Sequence, residues 1–145
     1  MSEIKLPLTL VGISLVIYGV YGFILAGPAA GVGLVLALLL HAVIAVVLGV
    51  AACFITAYIL GTDFGTFQAA SIKLAAASMF RSAVVLLIAL ISPVLGVLAC
   101  IVLLFWLLKL LFELEISELI VFVLILWGVE SVTQEIIGRM LVSIS

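Results

Sequence analysis

His41, Glu130 and Gln134 are polar residues that lie inside long apolar stretches of the sequence. A polar side chain surrounded by hydrocarbon needs a hydrogen-bonding partner, and an ionisable residue at membrane depth is a candidate functional site. These three residues therefore form a candidate intramembrane polar site, able to relay a proton or to line a polar path. For His41 we favour a structural interpretation, a neutral imidazole bonded to a carbonyl or hydroxyl group, because no second histidine could continue a relay. For Glu130, a position at membrane depth and a position in the head-group region are both open.

Two cations, Lys73 and Arg81, lie in an Ala-rich segment that follows the second apolar stretch. Residues 61–81 are the only sizeable connection in the chain. We expect the second half of this connection to form an interfacial helix that Thr66 caps. Lys73 and Arg81 would then contact lipid head groups.

The sequence offers no set of residues for covalent or acid–base catalysis. One histidine and one aspartate exclude a His-Glu-x-x-His zinc site and an aspartyl dyad. The chain also lacks a Gly-x-Ser-x-Gly elbow and a glycine-rich phosphate loop. Cys53 and Cys100 both fall within apolar stretches, and we interpret them as free packing residues. We therefore predict a protein that is not an enzyme and that holds neither a metal nor a cofactor.

The composition indicates a membrane protein. Of the 145 residues, 69% are hydrophobic and 8% are charged, and the mean hydropathy is +1.71. A soluble domain of this size buries only about two-thirds of the surface of its unfolded chain, so this much apolar surface requires lipid as the solvent. The net charge of −2 provides no basic excess for nucleic acid, and membrane lipid is the expected partner.

Four apolar runs are long enough to cross the roughly 30 Å hydrocarbon core. They cover residues 6–26, 33–60, 82–112 and 119–140. Gly61 is the expected C-cap of the second run, and the third run should bend or break at Ser92-Pro93. We predict an all-α integral membrane protein of one domain, a bundle of four transmembrane helices with the interfacial helix between the second and third. The alternative has five crossings, with residues 66–91 and 94–112 crossing separately.

The distribution of Lys and Arg predicts the orientation of the chain. With four crossings, one side receives Lys5, Lys73, Arg81 and Arg139, and the other receives only Lys109. Short cytoplasmic loops are enriched in Lys and Arg. Both termini should therefore be cytoplasmic.

Small residues recur at every fourth position of the second apolar run, with His41 in the one remaining position. They are Gly33, Ala37, Ala45, Gly49, Cys53, Ala57 and Gly61. Helix association in lipid depends on close van der Waals packing, which small residues permit, so we interpret this row as a helix-packing seam. A four-residue step drifts by about 40° along the helix, so two neighbours could share the seam.

These observations favour a non-enzymatic accessory or scaffolding subunit that acts through helix–helix association, as a homo-oligomer or with other membrane proteins. One alternative is a small conduit or transporter in which Glu130, Gln134 and His41 line a polar path. A second alternative is a protein that senses or remodels lipid through Lys73 and Arg81.

Overall fold

The computed structural model describes residues 2–144, and five α-helices make up nearly all of this part of the chain. The helices are α1 (Ser2–Ala26), α2 (Pro28–Leu60), α3 (Phe67–Ala89), α4 (Pro93–Phe112) and α5 (Ile116–Ile144). Residues 2–144 contain no strand, and the predicted all-α class is confirmed. All five helices are long and apolar enough to cross a membrane.

Local sequence signals set the ends of the helices. Gly27 has a φ of 88°, which favours glycine, and Pro28 follows at the first turn of α2, where its missing N–H costs nothing. Gly61 is the predicted C-cap of α2: it is left-handed and its N–H donates to the carbonyl of Ala57 at 2.8 Å. The predicted cap of α3 is also confirmed, because the Thr66 hydroxyl accepts from the N–H of Ala69 at 3.3 Å.

The predicted single span over 82–112 is wrong, because this stretch belongs to two helices. α3 ends at Ala89 and α4 begins at Pro93, after an extended Ser92 with φ −155° and ψ 123°. Proline removes a backbone donor and drives the preceding residue out of the helical region, so the chain turns instead of bending. Gly96 then packs on Ala89, and α4 folds back along α3. These boundaries agree with the five-helix alternative.

The predicted interfacial helix is also a wrong expectation, because the segment belongs to the central helix of the bundle. α3 packs against α1, α2 and α4. Its buried residues lie on all sides of the helix: Ala70, Leu74, Ala76, Ala77, Ser78, Met79 and Ala83. Alanine allows several neighbours to approach one helix closely. The Ala-rich composition therefore reflects burial among helices rather than a position on the membrane surface.

Consecutive helices run in opposite directions, so the bundle has two ends. Lys73, near the start of α3, shares a pocket with Leu6 and Pro7 of α1 and with Phe112 at the end of α4. We call this the Asp63 end; it holds the starts of α1, α3 and α5 and the connection 61–66. The opposite Pro93 end holds the α1–α2 and α3–α4 turns and the end of α5. Five crossings would therefore place the two termini on different sides, unlike the four-crossing prediction.

The helix α5 joins the bundle mainly through α2, with few contacts to α4. Phe122 of α5 is fully buried and packs on Phe64 and Phe112, with ring centroids 5.3 and 6.4 Å away. Phe64 and Phe112 make an edge-to-face pair at 5.7 Å. This aromatic cluster anchors the first half of α5 at the Asp63 end, whereas residues 131–140 of α5 are almost entirely exposed.

Candidate functional site

The structure brings Glu130 of α5 to Arg81 of α3, a pairing that the sequence did not indicate. Both residues are half-buried and line a small cavity of about 20 Å³ together with Ser78. Ser78 is 7% exposed, and its hydroxyl has no hydrogen-bond partner among the described residues. Arg81 and Glu130 each lie 14 residues beyond the start of their helices, or about 21 Å along the axis. Arg81, predicted to contact head groups, thus lies beside an internal polar cluster.

The other two residues of the predicted polar site lie elsewhere. His41 is exposed and lines a separate cavity of about 270 Å³ with Tyr18 and Ser82. Gln134 is exposed on α5, one turn beyond Glu130. The predicted trio is therefore not one site in this structure.

Ser78, Ser82 and Tyr18 were missed in the sequence. Ser78 precedes Arg81 by three residues and Ser82 by four, a spacing that places all three along one side of a helix. That spacing is a usable signal once residues 67–89 are recognised as one continuous helix. The prediction of an interfacial helix in this segment is the reason that the spacing of Ser78, Arg81 and Ser82 was not recognised.

Lys73 lies at the Asp63 end, where its ammonium group is 5.5 Å from the centroid of the Phe112 ring. A cation over an aromatic face is attracted by the ring quadrupole. Glu113 lines the same pocket and adopts a left-handed conformation, φ 53°, as the C-cap of α4. Lys73 therefore lies near the end of the bundle, and its contact with lipid head groups stays a prediction.

The residues of the predicted seam have different environments along α2. Gly49 and Cys53 are buried, and an added Cβ at Gly49 would lie 2.8 Å from the side chain of Leu74 in α3. Ala45 and Ala57 are half-buried, and Ala37 is exposed. Gly33 has nothing within 4 Å of an added Cβ, and Gly61 is the exposed C-cap. The middle of the row therefore faces the chain's own central helix.

A closer helix contact, which the sequence reading missed, joins α1 to α2. An added Cβ at Gly22 would lie 2.7 Å from the Cα of Gly31, and one at Gly31 would lie 3.0 Å from the carbonyl oxygen of Gly19. Only glycine permits backbones to approach this closely. The signal was available: these glycines flank the Gly27-Pro28 turn, where the two helices of a hairpin must meet.

At the Asp63 end, Glu118 joins the start of α5 to the end of α2. Its Oε1 accepts from the Thr62 hydroxyl at 3.0 Å, and its Oε2 accepts from the N–H of Glu115 at 3.0 Å. The second bond is half of a capping box, since the carboxylate reaches back to the residue before the helix. Glu118 therefore has a structural role in joining two helices.

Residues 2–144 contain no group of three or more His, Cys, Asp or Glu side chains that could hold a metal ion. Cys53 and Cys100 are free thiols, the first buried and the second half-buried. Both cysteines lie within helices.

Comparison with protein-family models, with curated proteins and with solved structures gives no match. The structure itself therefore defines the class. Five apolar helices, with α3 at the centre of the first four and α5 packed on α2, make a membrane-embedded all-α bundle.

Proposed function

We propose that this chain is a non-enzymatic membrane protein that acts by helix–helix association, with a second copy docked on the outward face of α5. The supporting observation is a row of small and polar residues that the other described residues leave uncovered. We call it the α5 outer stripe: Gly128, Ser131, Gln134 and Gly138, all of them exposed. Their spacing of three, three and four residues places them on one side of the helix.

The stripe combines two features that drive association in lipid. Added Cβ atoms at Gly128 and Gly138 would meet nothing within 4 Å, so another backbone can approach closely at both positions. If the span begins near Leu119, Ser131 and Gln134 lie about 18 and 22 Å into the roughly 30 Å core. Lipid tails offer a Gln134 amide no hydrogen bond, whereas a neighbouring helix does.

A second copy of the chain can cover the α5 outer stripe because the stripe is self-complementary. An amide both donates and accepts, so two Gln134 side chains related by a two-fold axis can pair with each other. Two copies inserted in the same direction present the stripe at the same depth. The same arrangement brings Gly128 and Gly138 of one copy against those of the other.

The test is the association of the full chain in mild detergent and in lipid nanodiscs, measured by mass and by dilution. We expect a mass above the monomer for the wild type, and Gln134→Leu should weaken association about three- to eighteenfold, from roughly 0.6–1.7 kcal/mol per interhelical hydrogen bond. Gly128→Ile should weaken it by separating the backbones. Gly12→Ile, at an equally open glycine on α1, is the matched control and should change nothing.

The outcomes separate the possible occupants. A clean monomer in both environments, or association that Gly128→Ile and Gln134→Leu leave unchanged, would refute the proposal. A different membrane protein that co-purifies and is lost with both variants would keep the docking face and replace the second copy as its occupant.

A conduit is the second candidate, favoured by the convergence of polar side chains around residues 78–82 of α3. Ser78, Arg81 and Ser82 come from α3, and Glu130 and Tyr18 face them from α5 and α1. Transporters bind their substrates at such intramembrane polar clusters. Equal flux of protons and small ions through liposomes carrying the wild type or Glu130→Gln would eliminate a path through Glu130.

The proposed orientation has the Asp63 end in the cytoplasm. This end receives Lys5, Lys73 and Lys109, whereas the Pro93 end receives Arg139. The positive-inside rule then favours a cytoplasmic amino terminus, and with five crossings the carboxyl terminus lies on the other side. Reporter fusions at the two termini should give opposite signals, and equal signals would contradict the five-crossing topology.

A further inference from the structure

We infer that Ser78, Arg81 and Glu130 form a hydrated ion-pair site inside the bundle, in which one water molecule links the Ser78 hydroxyl to the guanidinium and carboxylate groups. The site is independent of the α5 outer stripe. It connects the central helix α3 with α5, which otherwise packs mainly on α2.

The size and lining of the cavity indicate water as the ligand. The volume of about 20 Å³ exceeds the roughly 10–15 Å³ that one water molecule needs. A buried water normally makes about three hydrogen bonds, and Ser78, Arg81 and Glu130 supply three polar groups. The other six lining residues are alanine and leucine, so no other side chain can satisfy the Ser78 hydroxyl there.

The opposite charges of Arg81 and Glu130 also need each other as partners inside the bundle. Among the described residues, the Arg139–Glu135 pair is the only ion pair within 4.0 Å, so Arg81 and Glu130 face the cavity without direct contact. An unpaired charge near the centre of a membrane span is unfavourable, because lipid tails offer it neither a counter-charge nor a hydrogen bond. A water-mediated hydrogen bond is enthalpically nearly as good as a direct one, so a bridging water can link the two groups. The bridge therefore gives both Glu130 and Arg81 a hydrogen-bonding partner at the same depth.

Glu130 is reachable from the lipid side. A second, apolar cavity of about 350 Å³ lies between α4 and α5, lined by Cys100 and Trp127 among others. It shares Leu104, Leu126 and Glu130 with the small cavity. A hydrophobic reagent dissolved in the bilayer can therefore approach the Glu130 carboxyl group and report whether that group is engaged by a partner.

The test uses dicyclohexylcarbodiimide on the full chain in liposomes, with the modified residue located by mass spectrometry. The reagent reacts with a protonated carboxyl group: the acid proton goes to a carbodiimide nitrogen, and the carboxyl oxygen bonds to the central carbon. The adduct then rearranges to a stable N-acylurea. We expect little modification of Glu130 in the wild type at neutral pH, because the water bridge to Arg81 and Ser78 engages the carboxylate.

Arg81→Gln should raise modification of Glu130 about tenfold or more, since a hydrogen bond to a charged group contributes roughly a factor of ten or more to an equilibrium. Arg81→Lys keeps the cation and should stay close to the wild type. Ser78→Val removes the hydroxyl and fills the cavity, so it should also raise modification. Glu135→Gln, an exposed site on the same helix, should leave Glu130 unchanged.

Heavy modification of Glu130 in the wild type would overturn the site, because it would show a carboxyl group without a partner. Equal modification in the wild type and in Arg81→Gln would refute the pairing with Arg81. A Ser78→Val variant that behaves like the wild type would refute the water bridge, and a rise in Arg81→Lys equal to that in Arg81→Gln would show general unfolding instead of loss of charge.

Discussion

The close approach of α1 and α2 at Gly22 and Gly31 gives a prediction whose size follows from the structure. In Gly22→Ala the new Cβ would lie 2.7 Å from the Cα of Gly31 and 2.9 Å from the carbonyl oxygen of Ala30. All of the neighbouring atoms within this distance belong to the backbone, so no side chain can rotate away. Restoring a contact of 3.4 Å needs a displacement of about 0.7 Å between α1 and α2. A gap of roughly 0.5–1 Å forfeits a quarter to a half of each van der Waals contact along the hairpin.

Gly12→Ala is the matched control, because an added Cβ at Gly12 meets nothing within 4 Å on the same helix. Both substitutions gain the same helix propensity from alanine, so the difference between the two variants isolates the steric clash. We expect Gly22→Ala to be less stable than Gly12→Ala by roughly 1–3 kcal/mol, the usual cost of overpacking. Gly19→Ala adds an ordinary contact of 3.7 Å with Val35 and should resemble the control.

The measurement is the free energy of unfolding in mixed micelles, from SDS titration followed by far-UV circular dichroism. In Gly31→Ala the new Cβ would lie 3.0 Å from a carbonyl oxygen, so its unfolding free energy should fall between those of Gly22→Ala and Gly12→Ala. Equal unfolding free energies for Gly22→Ala and Gly12→Ala would refute the close packing of α1 on α2. A Gly22→Ala variant that is more stable than Gly12→Ala would also refute this close packing.

Two carboxylates on α5 should differ sharply in their contribution to stability. Glu118→Ala removes the acceptor of the Thr62 hydroxyl and of the Glu115 N–H, and we expect a loss of about 1.5–3 kcal/mol in unfolding free energy in the same assay; a loss no larger than that of Glu115→Ala would contradict this role. Glu135→Ala removes the i,i+4 ion-pair partner of Arg139, which lies 2.6 Å away. The side chains of Arg139 and Glu135 are 79% and 64% exposed, so the unfolding free energy should change by less than about 1 kcal/mol. A loss of several kcal/mol there would show that this pair is buried in an assembly.

Much of the local structure could be predicted because its causes are local. A glycine with the right backbone freedom ends α2 at Gly61, and a hydroxyl at Thr66 begins α3. Pro93 excludes a helical Ser92, although the sequence alone left open whether the chain would bend or break there. Each of these effects depends on a residue and its neighbours within one turn.

The position of α3 could not be predicted in the same way. On a hydropathy scale, placing Lys73 and Arg81 inside a membrane span is unfavourable. This consideration favoured an interfacial helix and four crossings. In the structure the Phe112 ring lies beneath Lys73, and Ser78 and Glu130 share a cavity with Arg81. Phe112 and Glu130 belong to α4 and α5, so the residues that offset these costs are distant in the sequence.

The sequence by itself determined that the chain is apolar enough for lipid, that it is helical, and where most helices end, because transfer free energy and backbone stereochemistry act on each segment alone. The tertiary structure decided which helix is central, which glycines meet, and that Arg81 and Glu130 face one cavity. These features depend on how five apolar surfaces of similar hydropathy fit together. Hydropathy does not distinguish among such arrangements, whereas the shape of small residues and the need of each buried polar group for a partner do.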